Sequence, residues 1–224
     1  MLKRRFGAGM EAMVRVSAVA AAALAFFVAA SAAAQEAAPA GATYVLTGFR
    51  SADFGMNEDQ LRDAIDSDFG LSGDDVRVID NDVQRTRALV VEVENLLPDS
   101  GLARVSYVIG FQSKALTQVS AIWSPALDEE STLRQLVAMA NQLRTHFAGQ
   151  GYDPASLIAN RRLNESQTII FRGRDAANRM TLLTLDAPPT PEGAEAPPRE
   201  ASLQLVYMDN PEQPDVFAID QGAF

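Results

Sequence analysis

The stretch that decides the fold is residues 88–123, ALVVEVENLLPDSGLARVSYVIGFQSKALTQVSAIW. Apolar and polar residues alternate in three runs within it, at 88–94, 103–111 and 115–123. A period of two is typical of strands that bury one face, and the short polar turns between the runs predict an antiparallel meander. Tyr107 and Trp123 lie on the apolar faces of neighbouring strands, so we expect both in the core rather than on a ligand platform.

A helix is predicted just before the meander. Asn57 can cap its first turn, and Gln60, three residues later, can close a capping box. Gly70 supplies a left-handed stop. Four apolar residues share one face of this helix: Leu61, Ala64, Ile65 and Phe69. Upstream of the helix, strand-forming residues at 44–49 predict an opening strand.

The second half of the chain repeats this order of elements. A long helix is predicted with Asp128 as its cap, Glu129 and Glu130 in its first turn, and Gly149 or Gly151 at its end. Its apolar face is predicted from six residues: Leu133, Leu136, Val137, Ala140, Leu143 and Phe147. Three more strands are predicted, at 168–172, 180–185 and 202–208. The connection at 186–200 holds five prolines, which exclude a regular ladder and make it a surface excursion.

The order of elements predicts an α+β fold of two halves, 43–126 and 127–224, each a helix followed by an antiparallel meander. This order is an internal architectural repeat. Each helix has one apolar stripe and each meander has one apolar face. We therefore expect helices packed on antiparallel sheet, with the two halves joined edge to edge or face to face.

The N-terminal residues have the pattern of an export signal. An apolar run that ends in three alanines follows four basic residues, Lys3, Arg4, Arg5 and Arg15. We expect a signal peptide at 1–34 that is cleaved near Ala34, a flexible spacer at 35–42, and a periplasmic location. An uncleaved membrane anchor is the alternative.

Composition limits the partners of this chain. It contains no cysteine, so it forms no disulfide and carries no lipid on a cysteine. Its formal charge is −10, and loss of a leader with four basic residues and one acidic residue makes the charge −13. An acidic surface repels nucleic acid and anionic membranes. We therefore expect no nucleic-acid partner and no stable membrane insertion after cleavage.

The sequence has few groups for catalysis or metal binding. His146 is the only histidine, and we expect it to be partly covered in the last turn of the second helix. Glu92 and Glu94 share one strand face, which is a solvent face or, alternatively, an acid and base pair. A solvated acidic loop is preferred over a calcium site for six aspartates: Asp66, Asp68, Asp74, Asp75, Asp80 and Asp82. We predict no catalytic residue, no metal site and no cofactor.

One segment carries a resemblance to known families. Phe54-Gly55-Met56 with its capped helix, followed by the meander, resembles the opening of small envelope proteins of the BamE/SmpA type and of the beta-lactamase-inhibitor-protein-like fold. The resemblance covers residues 49–124 and implies helices that cover an antiparallel sheet. The whole chain also resembles exported proteins of alphaproteobacteria. It lacks the lipid-bearing cysteine of the BamE type and the disulfides of the inhibitor, and no functional residue is carried over.

These observations predict a periplasmic, non-catalytic protein that binds an envelope protein or a peptide through an exposed sheet face or edge. One alternative is a small-molecule carrier with a cavity between helices and sheet, which needs an apolar volume of a few hundred Å³. The other alternative is a carboxylate-based hydrolase that uses Glu92 and Glu94.

Overall fold

The computed structural model describes residues 43–189 and 201–218 of the chain. The described residues form two helices and ten strands, and they all belong to one compact unit, Ala38–Phe224. The helices are α1 (Glu58–Phe69) and α2 (Leu133–Ala148). The strands are β1 (Gly48–Phe49), β2 (Ala52–Asp53), β3 (Arg77–Asn81), β4 (Thr86–Glu94), β5 (Leu102–Ile109), β6 (Leu116–Trp123), β7 (Ile158–Arg162), β8 (Gln167–Arg174), β9 (Met180–Asp186) and β10 (Ser202–Met208).

Helix α1 begins and ends as its sequence predicts. The Asn57 side chain accepts a hydrogen bond from the Gln60 backbone N–H at 3.0 Å, and the Gln60 side chain accepts one from the Asn57 N–H at 3.0 Å. This reciprocal pair is the predicted capping box. Gly70 ends the helix in the left-handed region, with φ 68°. Leu61 and Ile65 are fully buried, so the predicted apolar face is the one that packs.

Helix α2 differs from its prediction at the N-terminus. Its cap is Thr132, which accepts a hydrogen bond from the Gln135 N–H at 3.2 Å, and its first turn contains no acidic residue. The cap predicted at Asp128 is therefore wrong, and Glu129 and Glu130 precede the helix. The reason is tertiary, because the Asp128 carboxylate accepts a hydrogen bond from the Leu102 N–H at 3.1 Å.

The buried face of α2 is also slightly different from the predicted one. Val137 is 38% exposed, and Met139, which was not predicted, is buried. The buried residues are Leu136, Met139, Ala140, Leu143 and Phe147. They are spaced by three or four positions, so they share one stripe, whereas Val137 lies about 100° around the helix from Leu136.

Eight of the strands form one antiparallel sheet in the order β3-β4-β5-β6-β10-β9-β8-β7. Each half of the chain supplies a helix followed by a four-stranded meander. The halves join edge to edge through β6 and β10, where Leu203 lies opposite Trp123 and Val206 lies opposite Ser120. The predicted α+β class with helices on antiparallel sheet is confirmed. The internal repeat and the boundary between residues 126 and 127 stay predictions.

Two edge strands and one hairpin were not predicted correctly. Strands β3 and β7 are missing from the sequence prediction because nearly all of their residues are exposed, so neither strand has an apolar face that alternates. The strand predicted at 44–49 is reduced to β1, which pairs only with β2. The preceding backbone bonds to loops instead, since the Tyr44 N–H donates to the Gly151 carbonyl at 2.8 Å.

The core lies between the helices and one face of the large sheet. A single hydrophobic cluster contains buried residues from α1, from α2 and from strands of both halves. Tyr107 and Trp123 are 0% and 1% exposed, which confirms that both belong to the core. The predicted leader at 1–34 and spacer at 35–42 lie outside the described residues, as does most of the proline-rich connection. Among the residues that the structure describes, no helix is long and apolar enough to span a membrane.

Candidate functional site

The large sheet has a second face that no helix covers within residues 43–189 and 201–218. Cross-strand register defines this open face, because residues paired directly across the sheet point to the same side. Its central row runs across β4, β5, β6, β10 and β9 and consists of Val90, Ser106, Ser120, Val206 and Leu182. The neighbouring residues in each strand point to the helices.

The centre of the open face is recessed. Val90 is 3% exposed, Val206 is 5% exposed and Ser120 is 7% exposed. Val90 and Val206 are nevertheless absent from the core cluster that contains both helices. The row is therefore a buried apolar strip on the side of the sheet that the described helices do not cover.

A groove of about 540 Å³ lies beside the central row, towards one end of the sheet, and can receive a side chain or a backbone segment of a partner. Ala88, Val108 and Gln118 line its floor, and Asp209, Asn210 and residues 213–216 line its other side. We call residues 209–218 the C-terminal strap. The Asp209 N–H donates to the Thr117 carbonyl at 2.9 Å, so the strap starts directly from the end of β10.

The C-terminal strap is held by a carboxylate and by aromatic contacts. The Asp215 carboxylate accepts hydrogen bonds from the backbone N–H groups of Gln112 and Ser113, each at 2.8 Å. Partial burial opposes ionisation of Asp215, but the hydrogen bonds outweigh it and hold the pKa of this carboxyl below its usual range. Phe217 packs edge to face on Phe111, and the Arg85 guanidinium lies 3.8 Å from the Phe217 ring centre. The groove therefore has a fixed wall.

Charge is distributed unevenly over the open face. By register and alternation, the strand residues of this face include five arginines: Arg77, Arg104, Arg161, Arg172 and Arg174. They include three acidic residues: Glu92, Glu94 and Asp186. The whole chain has the opposite balance, with 29 acidic and 19 basic residues. The C-terminal strap adds Asp209, Glu212 and Asp215 to this side, and Arg174 pairs with Glu212 at 2.6 Å, so the excess of arginine is confined to the strand residues.

Glu92 and Glu94 lie exposed on this open face. Glu92 Oε1 accepts hydrogen bonds from Arg104 Nη2 at 2.9 Å and from Arg77 Nη2 at 3.3 Å. The Glu92 carboxylate, which an acid and base pair with Glu94 would require, is therefore already bonded to two guanidinium groups.

The other predicted candidates lie apart from the open face. His146 is exposed, so the prediction that it is partly buried is wrong. The face of α2 that packs on the sheet contains its neighbour Phe147 instead. The aspartates of the acidic stretch are engaged separately, since Asp68 accepts from the Ser51 N–H and Asp80 pairs with Arg87 at 2.8 Å. In the described part of the chain, no three histidine or acidic side chains are arranged to hold a metal ion.

Sequence reasoning missed the recessed row and the C-terminal strap. One signal for the recessed row exists in the sequence, since Leu89, Val90 and Val91 are three consecutive apolar residues in a strand that otherwise alternates. Consecutive apolar residues indicate burial on both faces of a strand. The strap has no such signal, because its contacts join residues about one hundred positions apart.

The fold and the site together define a two-layer α+β protein with one helix-covered sheet face and one open face. Comparisons of the chain with family models, with curated proteins and with solved structures found no match. The resemblance to the BamE/SmpA type therefore stays a prediction.

Proposed function

We propose that this chain is a non-catalytic binding protein of the cell envelope, and that its open sheet face receives a segment of another protein. The observation that carries the proposal is the recessed row on that face. Val90 and Val206 are as buried as core residues, although they lie outside the core cluster and no described helix covers them. The groove beside this row has apolar residues on its floor and polar strap residues at its side, which is typical of protein interaction sites.

The charges of the open face favour an acidic segment. Arg77, Arg104 and Arg174 are already paired with Glu92 or Glu212, whereas Arg161 and Arg172 form no ion pair with another described residue and lie at the end far from Glu92. A partner with carboxylates beside one or two apolar side chains would match this pattern. The export signal predicted at 1–34 supports an envelope partner, and the scarcity of reactive groups in the sequence supports binding rather than catalysis.

Site-specific photo-crosslinking in cells tests this proposal. A photoreactive residue at Ile122 or Gln204, which are neighbours on β6 and β10 of the open face, is expected to give a covalent adduct. The matched control is the same residue at Arg134, which is exposed on α2 and belongs to the other layer. The adduct is expected to map to an acidic segment of an envelope protein. Equal adducts from both layers, or none from the open face, would overturn the proposal.

Charge reversal separates specific binding from accidental contact. Arg172→Glu is expected to reduce the Ile122 adduct about tenfold, because it replaces attraction by repulsion at the rim. Arg134→Glu changes the net charge by the same amount and is expected to leave the adduct unchanged. The hydrolase alternative has its own test, in which Glu92→Gln and Glu94→Gln together would abolish a measured hydrolytic activity.

A further inference from the structure

A separate cavity of about 300 Å³ lies on the helix-covered side of the sheet. It lies between α2, the strands β6 and β10, the turn after β1 and the loop that follows β4. Its lining is mainly apolar and includes Phe49, Leu97, Trp123, Leu143, Leu205 and Tyr207. Because it lies on the other side of the sheet, it is independent of the open face and of the function proposed for that face.

The cavity has one cation at its rim. Arg50, in the turn that joins β1 to β2, lines the cavity together with Gln142 and His146 of α2. The Arg50 guanidinium is positioned by three contacts: Nη2 donates to the Leu96 carbonyl at 3.3 Å, and the group lies 4.9 Å from the Phe69 ring centre and 5.9 Å from the Phe49 ring centre. Among the described residues, no acidic side chain lines this cavity, and Arg50 separates it from a neighbouring pocket that Asp68, Glu92 and Glu94 line. A ligand with a negative group is therefore favoured at this rim.

The indole of Trp123 supplies the second observation. Trp123 is 1% exposed, it lines the cavity, and its Nε1 donor has no hydrogen-bond partner among the described residues. A buried donor without a partner costs about 1–3 kcal/mol. An acceptor atom brought by a ligand would satisfy this donor, which an apolar side chain of the protein cannot do.

We propose that this cavity binds a small amphipathic carboxylate. The apolar body of the ligand lies among Leu143, Phe147 and Leu205, and the carboxylate faces Arg50 and accepts from the unpartnered Trp123 Nε1–H. At about 30 Å³ for each water-sized group, the volume suits a ligand of roughly ten non-hydrogen atoms. The chemical class is thus a short fatty acid or an arylalkanoate, and a long-chain lipid is too large.

The chain carries its own reporter for this proposal, because Trp123 is the only tryptophan. The full chain is expressed and purified, and octanoate is titrated while tryptophan fluorescence and the single indole N–H resonance are recorded. We expect saturable changes in both signals. Octanol and octylamine have the same apolar body without the negative charge, and we expect each to bind about five to ten times more weakly than octanoate.

Two variants locate the site. Arg50→Gln is expected to weaken octanoate binding about five- to tenfold and to leave octanol binding unchanged, whereas Arg134→Gln on the exposed side of α2 is the matched control and changes neither. Leu97→Phe places a larger side chain at the rim and is expected to weaken both ligands. Circular dichroism and thermal unfolding of each variant check that it folds.

Three results would overturn the proposal. The first is no change in the indole resonance with millimolar octanoate. The second is equal binding of octanoate and octanol, which would exclude recognition of the carboxylate. The third is an equal effect of Arg50→Gln and Arg134→Gln. None of these results bears on the photo-crosslinking from the open face, so the two proposals fail separately.

Discussion

Asp175 fastens the first described segment of the chain to the second half of the sheet. It lies in the turn between β8 and β9, is 4% exposed and accepts three backbone hydrogen bonds. The N–H of Leu46 donates to Oδ2 at 2.9 Å, and the N–H groups of Ala177 and Arg179 donate to Oδ1 at 2.9 and 2.8 Å. Replacement of Asp175 therefore removes an acceptor that connects residues 129 positions apart.

The structure gives the size of the expected loss. The Leu46 N–H is buried, so without its partner it costs about 2 kcal/mol. The other two N–H groups are only partly buried and reach water, so each adds about 0.5–1 kcal/mol. We expect Asp175→Ala to lower the free energy of unfolding by about 3–4 kcal/mol, which corresponds to a fall in Tm of about 10 °C for a chain of this size.

Urea unfolding followed by circular dichroism measures this loss. Asp175→Asn is expected to cost about 2 kcal/mol, because one amide oxygen still accepts from the turn while the amide N–H₂ faces the Leu46 N–H. The matched control is Asp153→Ala, since Asp153 also caps a turn but accepts only the Ala155 N–H, at an exposed site. It is expected to cost about 1 kcal/mol or less. A loss for Asp175→Ala no larger than this control would refute the reasoning.

Three further predictions concern stability. Asn57→Ala removes the α1 capping box and is expected to cost about 1 kcal/mol in urea unfolding. Tyr107→Phe is expected to raise the free energy of unfolding by about 1 kcal/mol, because the buried Tyr107 hydroxyl has no described partner. Tyr152→Phe is expected to lower it by about 1 kcal/mol, because the Tyr152 hydroxyl donates to the buried Thr181 hydroxyl at 2.7 Å. An equal effect of the two substitutions would contradict this reasoning. A hydrogen bond from Arg62 lowers the Glu58 pKa below its ordinary 4.5. Glu58 therefore stabilises the fold fully above pH 4.5, and this stabilisation is lost as the pH falls through the lowered pKa of the folded state. Between about pH 7 and about pH 3, the free energy of unfolding of Glu58→Gln is expected to fall less than that of the unchanged protein.

The sequence predicts elements well where the signal is local. The capping box at Asn57 and Gln60 needs residues only three positions apart, and the alternation in β4, β5 and β6 follows from one buried face. These features are determined by neighbours along the chain, and the structure confirms them.

The errors arise where a distant contact competes with a local one. Asp128 has the chemistry of a helix cap, but its carboxylate binds the backbone of Leu102, and Thr132 takes the cap instead. The segment at 44–49 has strand-forming residues, but Asp175 binds it at Leu46. The edge strands β3 and β7 bury little surface, so hydrophobic periodicity has nothing to detect there.

The sequence predicts that the sheet has an exposed face, but it does not predict the details of that face. The chain has two helices for two meanders, and each helix has one apolar stripe, so the helices cover one face of the sheet and leave the other exposed. Its recessed row and the arginines of its strands depend on the register of the five pairings among β3, β4, β5, β6, β10 and β9 and on the bulge in β8, and one sequence does not reveal that register. The cavity beside Trp123 depends on the position of the turn at Arg50, which is set by contacts from distant loops.

The position of β10 beside β6 has a consequence for how the molecule assembles. The strand that fills the middle of the sheet is the last of the described strands along the chain, and about eighty residues separate Trp123 from its partner Leu203. Until Ser202–Met208 is available, β6 and β9 each present an open backbone edge. Closing so long a loop slows the rate-limiting step of folding. A chain truncated before β10 would therefore expose two unpaired strand edges, and we expect it to aggregate through them.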